Sequence, residues 1–129
     1  MALIEPNWYR LTMDRAPHTV VELKEFAAFA ERHLTEEERT EIVGHIALDP
    51  FAGDLMPGTG GLRKLRWAAK GKGTSGGVRV IHYFGGEDLP VFLVTGFAKS
   101  EMTNIGQAAR NRYRKLLPLI VRAYKERRP

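Results

Sequence analysis

Six cations fall in a stretch that holds no carboxylate. Between Leu55 and Gly86 the chain carries Arg63, Lys64, Arg66, Lys70, Lys72 and Arg79, a formal charge of +6 with no Asp or Glu. Guanidinium forks match phosphate oxygens and stay charged at every physiological pH, and ammonium groups add compact point charges. Cations held on strands without acids gain nothing from ion pairs and repel one another, so the block is suited to a polyanion rather than to a merely solvated surface.

The same stretch holds nine of the chain's 13 glycines, yet it is no nucleotide cradle. The GxxxxGK[ST] pattern is missing. Gly71, Gly73 and Gly76 fit a GxGxxG spacing, but a strand follows them rather than a helix. The KGKGTSGG segment reads as a hairpin connection between two strands.

Those strands position the cations. In Leu62–Ala69 the alternation puts Leu65 and Trp67 on a core face and Lys64 and Arg66 on the other, with Arg63 sharing the Leu65 parity near the strand entrance. In Val78–Phe84, Val78, Val80, His82 and Phe84 share one face, and Arg79, Ile81 and Tyr83 share the opposite one. If the first set faces the helices, Arg79 and Tyr83 join Lys64 and Arg66, and His82 is a hydrogen-bonded core histidine.

The remaining elements follow in order. His18–Leu23 reads as a strand from its β-branched residues. Lys24–Leu34 reads as a helix with Phe26, Phe29, Ala30 and His33 on one face. Thr35 and Glu38 form a capping-box pattern that opens a second helix, which Asp49-Pro50 ends. The Glu36–Glu38 run complements the dipole of that helix. Pro90–Phe97 is almost wholly apolar, as in a strand covered on both sides. A last helix is predicted from near Thr103 to about Lys125, with Leu116, Leu117, Ile120, Val121 and Tyr124 as its apolar face and Pro118 as the place for a kink. The predicted order is β-α-α-β-β-β-α. This is an α+β fold, a small antiparallel sheet with helices on one face and the cationic face left open.

Composition sets the outer bounds. At 129 residues and 43% hydrophobic content the chain suits one domain with one core. Residues 1–17 read as an N-terminal extension and 18–129 as the domain. Without cysteine there is no disulfide or thiolate metal site. His33 and His45 have no partner at metal-ligand spacing. No run approaches a membrane span and no signal layout opens the chain, which predicts a soluble, cytoplasmic protein. Charge is divided along the chain, −6 over residues 1–54 and +11 over 55–129, so the second part is the one that faces an acidic partner.

The segment GTGGLRKLRWA-AKGKGTSGGVRVIHYF, followed by VFLVTGFAKSE, resembles the RelE/ParE superfamily of toxins from type II toxin–antitoxin modules. The resemblance is to the HigB-like branch, which has a GLRK strand, a GKG loop, a GG-x-R strand and an AK-x-E tail. It runs from about Thr19 to the C-terminus. It implies a RelE-like fold and a ribosome-dependent mRNA endonuclease that works without metal or cofactor. It further implies a protein that is monomeric when free, acts at the ribosomal A site, and is neutralised by a HigA-like, helix-turn-helix antitoxin.

Such cleavage begins with attack of a ribose 2′-OH on the adjacent phosphate, and it needs a base, positive charge around the phosphorane and a proton for the leaving oxygen. The resemblance carries phosphate stabilisation to Arg79 and basic active-site roles to Lys64, Arg66 and Lys99. It gives RNA contacts to Arg63, Lys70 and Lys72, and to Tyr83 a base to stack on or a proton to donate. Phe97 stands where a tyrosine is common in related sequences. A ParE-like gyrase inhibitor shares the fold and is the competing reading. A basic RNA-binding module without chemistry is a third.

Overall fold

The computed structural model describes residues 17–69, 73–102 and 104–127. β1 (Val20–Glu22) leads into α1 (Lys24–His33) and α2 (Glu36–Leu48). The chain then forms β2 (Asp54–Leu55), β3 (Leu62–Ala69), β4 (Gly73–Phe84) and β5 (Val91–Ala98), and ends in α3 (Gln107–Glu126). One five-stranded sheet results, in the order β1-β5-β4-β3-β2. The α+β class stands, and the two-residue β2 is added to the predicted order.

Local chemistry explains the helices. The Thr35 hydroxyl accepts from the Glu38 N–H at 3.1 Å, and the Glu38 carboxylate accepts from the Thr35 N–H at 2.9 Å. This is the reciprocal cap predicted for α2. In α1, Phe26, Phe29 and Ala30 are buried, as i, i+3 and i+4 positions on one face should be. The last helix begins at Gln107 rather than near Thr103, a position outside the described residues, and it carries Pro118 within it.

Two details of the predicted sheet are corrected. It is mixed rather than antiparallel, because β1 runs parallel to β5, with Val20 opposite Val91. Parallel neighbours need a long connection, and the rest of the sheet with both early helices provides it. The helices also occupy two faces instead of one. α1 and α2 pack on Val78, Val80, Val91 and Leu93. On the other side Tyr113 and Leu117 of α3 pack on Leu62, Ile81 and Phe92. Apart from a register shift that leaves Val94 without a partner on β4, β5 residues alternate between the faces, so a strand apolar throughout demands cover on both.

Gly96 shows how close that cover is. A Cβ at this position would lie 2.4 Å from the Phe29 ring, so α1 can settle on β5 only over a glycine. His82 is buried on the α1/α2 side, as expected of a core histidine. Its Nε2 lies 3.1 Å from the Pro50 carbonyl, which can only accept, so the ring carries its proton there. Nδ1 is then bare and has no partner. Burial pushes the imidazole pKa down to about 4, partly offset by the Pro50 carbonyl.

Candidate functional site

The β3–β4 hairpin brings the cations together. Arg66 of β3 stands directly opposite Arg79 of β4, and Arg79 in turn faces Phe97 of β5. One rung along, Lys64 faces Ile81, and Ile81 faces Thr95. Residues directly opposite across an antiparallel pair hold their Cβ atoms about 5 Å apart, and diagonal neighbours about 7 Å. Lys64, Arg66 and Arg79 therefore share one patch on the face that α3 covers only in part. Leu65 and Trp67 are on the opposite side, packed with α1 and α2, as their parity predicted.

Gly77 permits the approach. A Cβ there would meet the Trp67 carbonyl at 2.2 Å, so any larger residue would push β3 and β4 apart beside the arginine pair. The hairpin register shifts between Trp67 and Ala69, then resumes with Ala69 opposite Gly73. Strand β4 thus starts at Gly73, inside what reads from sequence as a loop. Such an irregularity next to a cluster of charges is a common way to re-aim side chains.

Arg79 and its neighbour Phe97 are each only 6% exposed. The Nη1 of Arg79 donates to the Val78 carbonyl at 3.1 Å. None of its nitrogens is both sealed from solvent and unpaired. Arg66 is exposed and Lys64 half-buried. The Lys64 ammonium lies 3.5 Å from the Asn104 amide oxygen, the outer limit of a hydrogen bond. That oxygen also accepts from the Ile105 N–H at 3.0 Å. Asn104 carries no charge and no motif, and its place beside Lys64 had no signal in the sequence.

Among the described residues the ion pairs are Arg39–Glu22 and His33–Glu101, and neither includes Lys64, Arg66 or Arg79. Like charges directly opposite on a sheet are destabilising. Desolvating an arginine beside them adds to the cost. An arrangement of this kind is compensated when an anion sits on it. The guanidinium of Arg79, which donates to the Val78 carbonyl, has the fork geometry that matches phosphate oxygens.

The other predicted site residues go elsewhere or border the patch. Lys99 is exposed just past β5, and its N–H donates to the Gly77 carbonyl at 3.0 Å, one rung beyond Arg79. Tyr83 is on the same face as Arg79, but four residues along the strand, a separation of roughly 13 Å. It packs with the α3 cluster between Gly61 and Gly85. Arg63 is on the opposite face, where it donates to the carbonyls of Phe51 at 3.0 Å and Gly53 at 3.3 Å. Its guanidinium also lies over the Phe51 ring, 5.2 Å from the centroid. Lys70 and Lys72 lie outside the described residues, as does nearly all of the predicted 1–17 extension.

A small α+β domain that sets two arginines face to face, with no described carboxylate bonded to either, has the cation placement of a polyanion-handling protein. The family model for the RelE toxin of RelE / RelB toxin-antitoxin system matches residues 18–127, and the chain belongs to that family. Members are generally ribosome-dependent endoribonucleases, paired with a cognate antitoxin. Among the described residues no helix is long and apolar enough to cross a membrane.

Proposed function

We propose that this chain is a ribosome-dependent mRNA endonuclease toxin of the HigB-like branch, neutralised by a HigA-like, helix-turn-helix antitoxin. In this reading residues 18–129 are the toxin domain, 1–17 an extension outside it, and the free toxin a cytoplasmic monomer that enters the ribosomal A site. The observation that carries it is the facing of Arg66 and Arg79 across β3 and β4 without a carboxylate partner among the described residues.

The reaction is an internal transfer. A ribose 2′-OH loses its proton, its oxygen attacks the adjacent phosphorus, and the bond to the 5′-oxygen breaks. The leaving oxygen takes up a proton, leaving a cyclic phosphate on one fragment and a 5′-OH on the other. Negative charge grows on the phosphorane oxygens, and Arg79 and Arg66 hold it with preorganised donors. Lys64 and Lys99 flank the pair from two sides and serve as base and acid. Phe97 has no proton to give, so proton transfer to the leaving oxygen falls to a lysine. Lys70 and Lys72, which follow β3 in the sequence, grip the RNA backbone.

Mapping transcript 5′ ends in cells that express the protein, with and without translation, tests this reading. New ends confined to translated regions, and absent when translation is blocked, support it. DNA damage without new mRNA ends would favour the gyrase-inhibitor reading. Growth arrest by Arg79→Ala as fast as by wild type would remove Arg79 from the mechanism.

A further inference from the structure

The outer flank of α3 is more apolar than its contact with the sheet requires. Tyr113 and Leu117 are buried on the sheet, with Ile120 and Tyr124 packed beside them. Leu116, Leu119 and Ala123 fall at i, i+3 and i+7, which forms a second row along the same helix. Leu119 is 55% exposed and Leu116 38% exposed. The row spans roughly 10 Å of helix. At its N-terminal end it meets a cleft of about 260 Å³ lined by Met102, Ala109 and Arg112 among others.

Charge along the helix is mostly of one sign, while Glu25 and Glu101 line the cleft at its end. Residues 107–127 hold seven Lys and Arg against the single acid Glu126. Lys115 and Arg122 are exposed on the solvent side of the row, and no described carboxylate pairs with them. Phosphate backbones gain nothing from two exposed leucines, so the row is not explained by RNA. An acidic helix with its own apolar stripe matches both features, leucines into leucines and carboxylates over Lys115 and Arg122.

We propose that the Leu116–Leu119–Ala123 flank of α3 seats an acidic amphipathic helix of the cognate antitoxin, with one large apolar side chain of that helix anchored in the cleft beside Arg112. This rests on the toxin–antitoxin reading above. The leucine row lies along α3, and the cleft at its end is lined also by Phe97, the residue that faces Arg79 across the sheet, so the seat borders the Arg66–Arg79 patch.

The probe is the antitoxin encoded beside this gene, titrated against the full chain. Leu119→Glu keeps a good helix former at an exposed position, adds a carboxylate facing the acidic partner, and is expected to weaken binding about 30-fold or more. Arg122→Glu is expected to weaken it about 5- to 10-fold and to flatten its salt dependence. Leu119→Met is expected to stay within about threefold of wild type. Circular dichroism on each variant reports that α3 is intact. If wild type binds and Leu119→Glu binds equally well, the seat is elsewhere and the inference falls while the toxin reading stands. If wild type does not bind the neighbouring protein, both fall. If Leu119→Glu instead disperses a dimer of this chain and leaves antitoxin affinity unchanged, the row joins two copies and the inference falls.

Discussion

Arg63 and Arg79 are both strand arginines of one hairpin, and they are treated in opposite ways. Arg63 is on the α1/α2 side, with its Nη1 donating to the carbonyls of Phe51 and Gly53 and its guanidinium over the Phe51 ring. Arg79 is on the other side, nearly buried, bonded to one carbonyl and faced by a second arginine. The first ties down the loop that leads to β2. The second lies beside a like charge that no ion pair among the described residues offsets. The same side chain anchors a loop on one face and is set against another arginine on the other.

Substituting each arginine by alanine is the sharpest way to break that contrast. Arg79→Ala is expected to slow cleavage on translating ribosomes by about 10²- to 10³-fold, the usual cost of one transition-state donor. Arg63→Ala is expected to change the rate by less than about threefold. Equal losses from the two would end the distinction between the faces.

The α1/α2 side carries a pH signature of its own. His82 is held neutral with a pKa of about 4, below its ordinary 6.5. Its contribution is fully present above pH 6.5 and is lost as pH falls towards 4, because the unfolded chain binds the proton first. The loss should approach about 3 kcal/mol, since each tenfold difference in proton affinity between the folded and unfolded chain is worth about 1.4 kcal/mol. Urea titrations at pH 7.5 and 4.5 would measure it, and His82→Gln should flatten the slope.

Smaller effects refine the comparison. Arg63→Ala should cost about 1 kcal/mol of stability through its lost carbonyl contacts, read as a shift in the denaturation midpoint. Arg66→Ser should do the reverse. It relieves the repulsion with Arg79, so stability should rise by about 0.5 kcal/mol while cleavage falls at least about tenfold. A variant that is both more stable and less active marks charge retained for function.

Much of the fold was legible because its signals are local. The capping box of Thr35 and Glu38, the Phe26–Phe29–Ala30 face and the Leu65–Trp67 alternation depend only on spacing along one element, and each is found as read. The two-residue β2 was not legible, since pairing with Lys64 and Arg63 defines it and no periodicity does. The position of α3 was half legible. The all-apolar β5 called for a cover on each face, but nothing in the helix itself said which face it would take.

By itself the sequence determined that cations lie on one strand face, that acids are excluded from that stretch, and that His82 points inward. These follow from composition and a two-residue period. Only the tertiary structure decided that Arg66 faces Arg79, that Tyr83 packs with the α3 cluster, that Arg63 bonds the Phe51 and Gly53 carbonyls, and that Asn104 reaches Lys64. Strand register and helix docking are set by contacts between distant residues, and spacing within one segment holds no record of them.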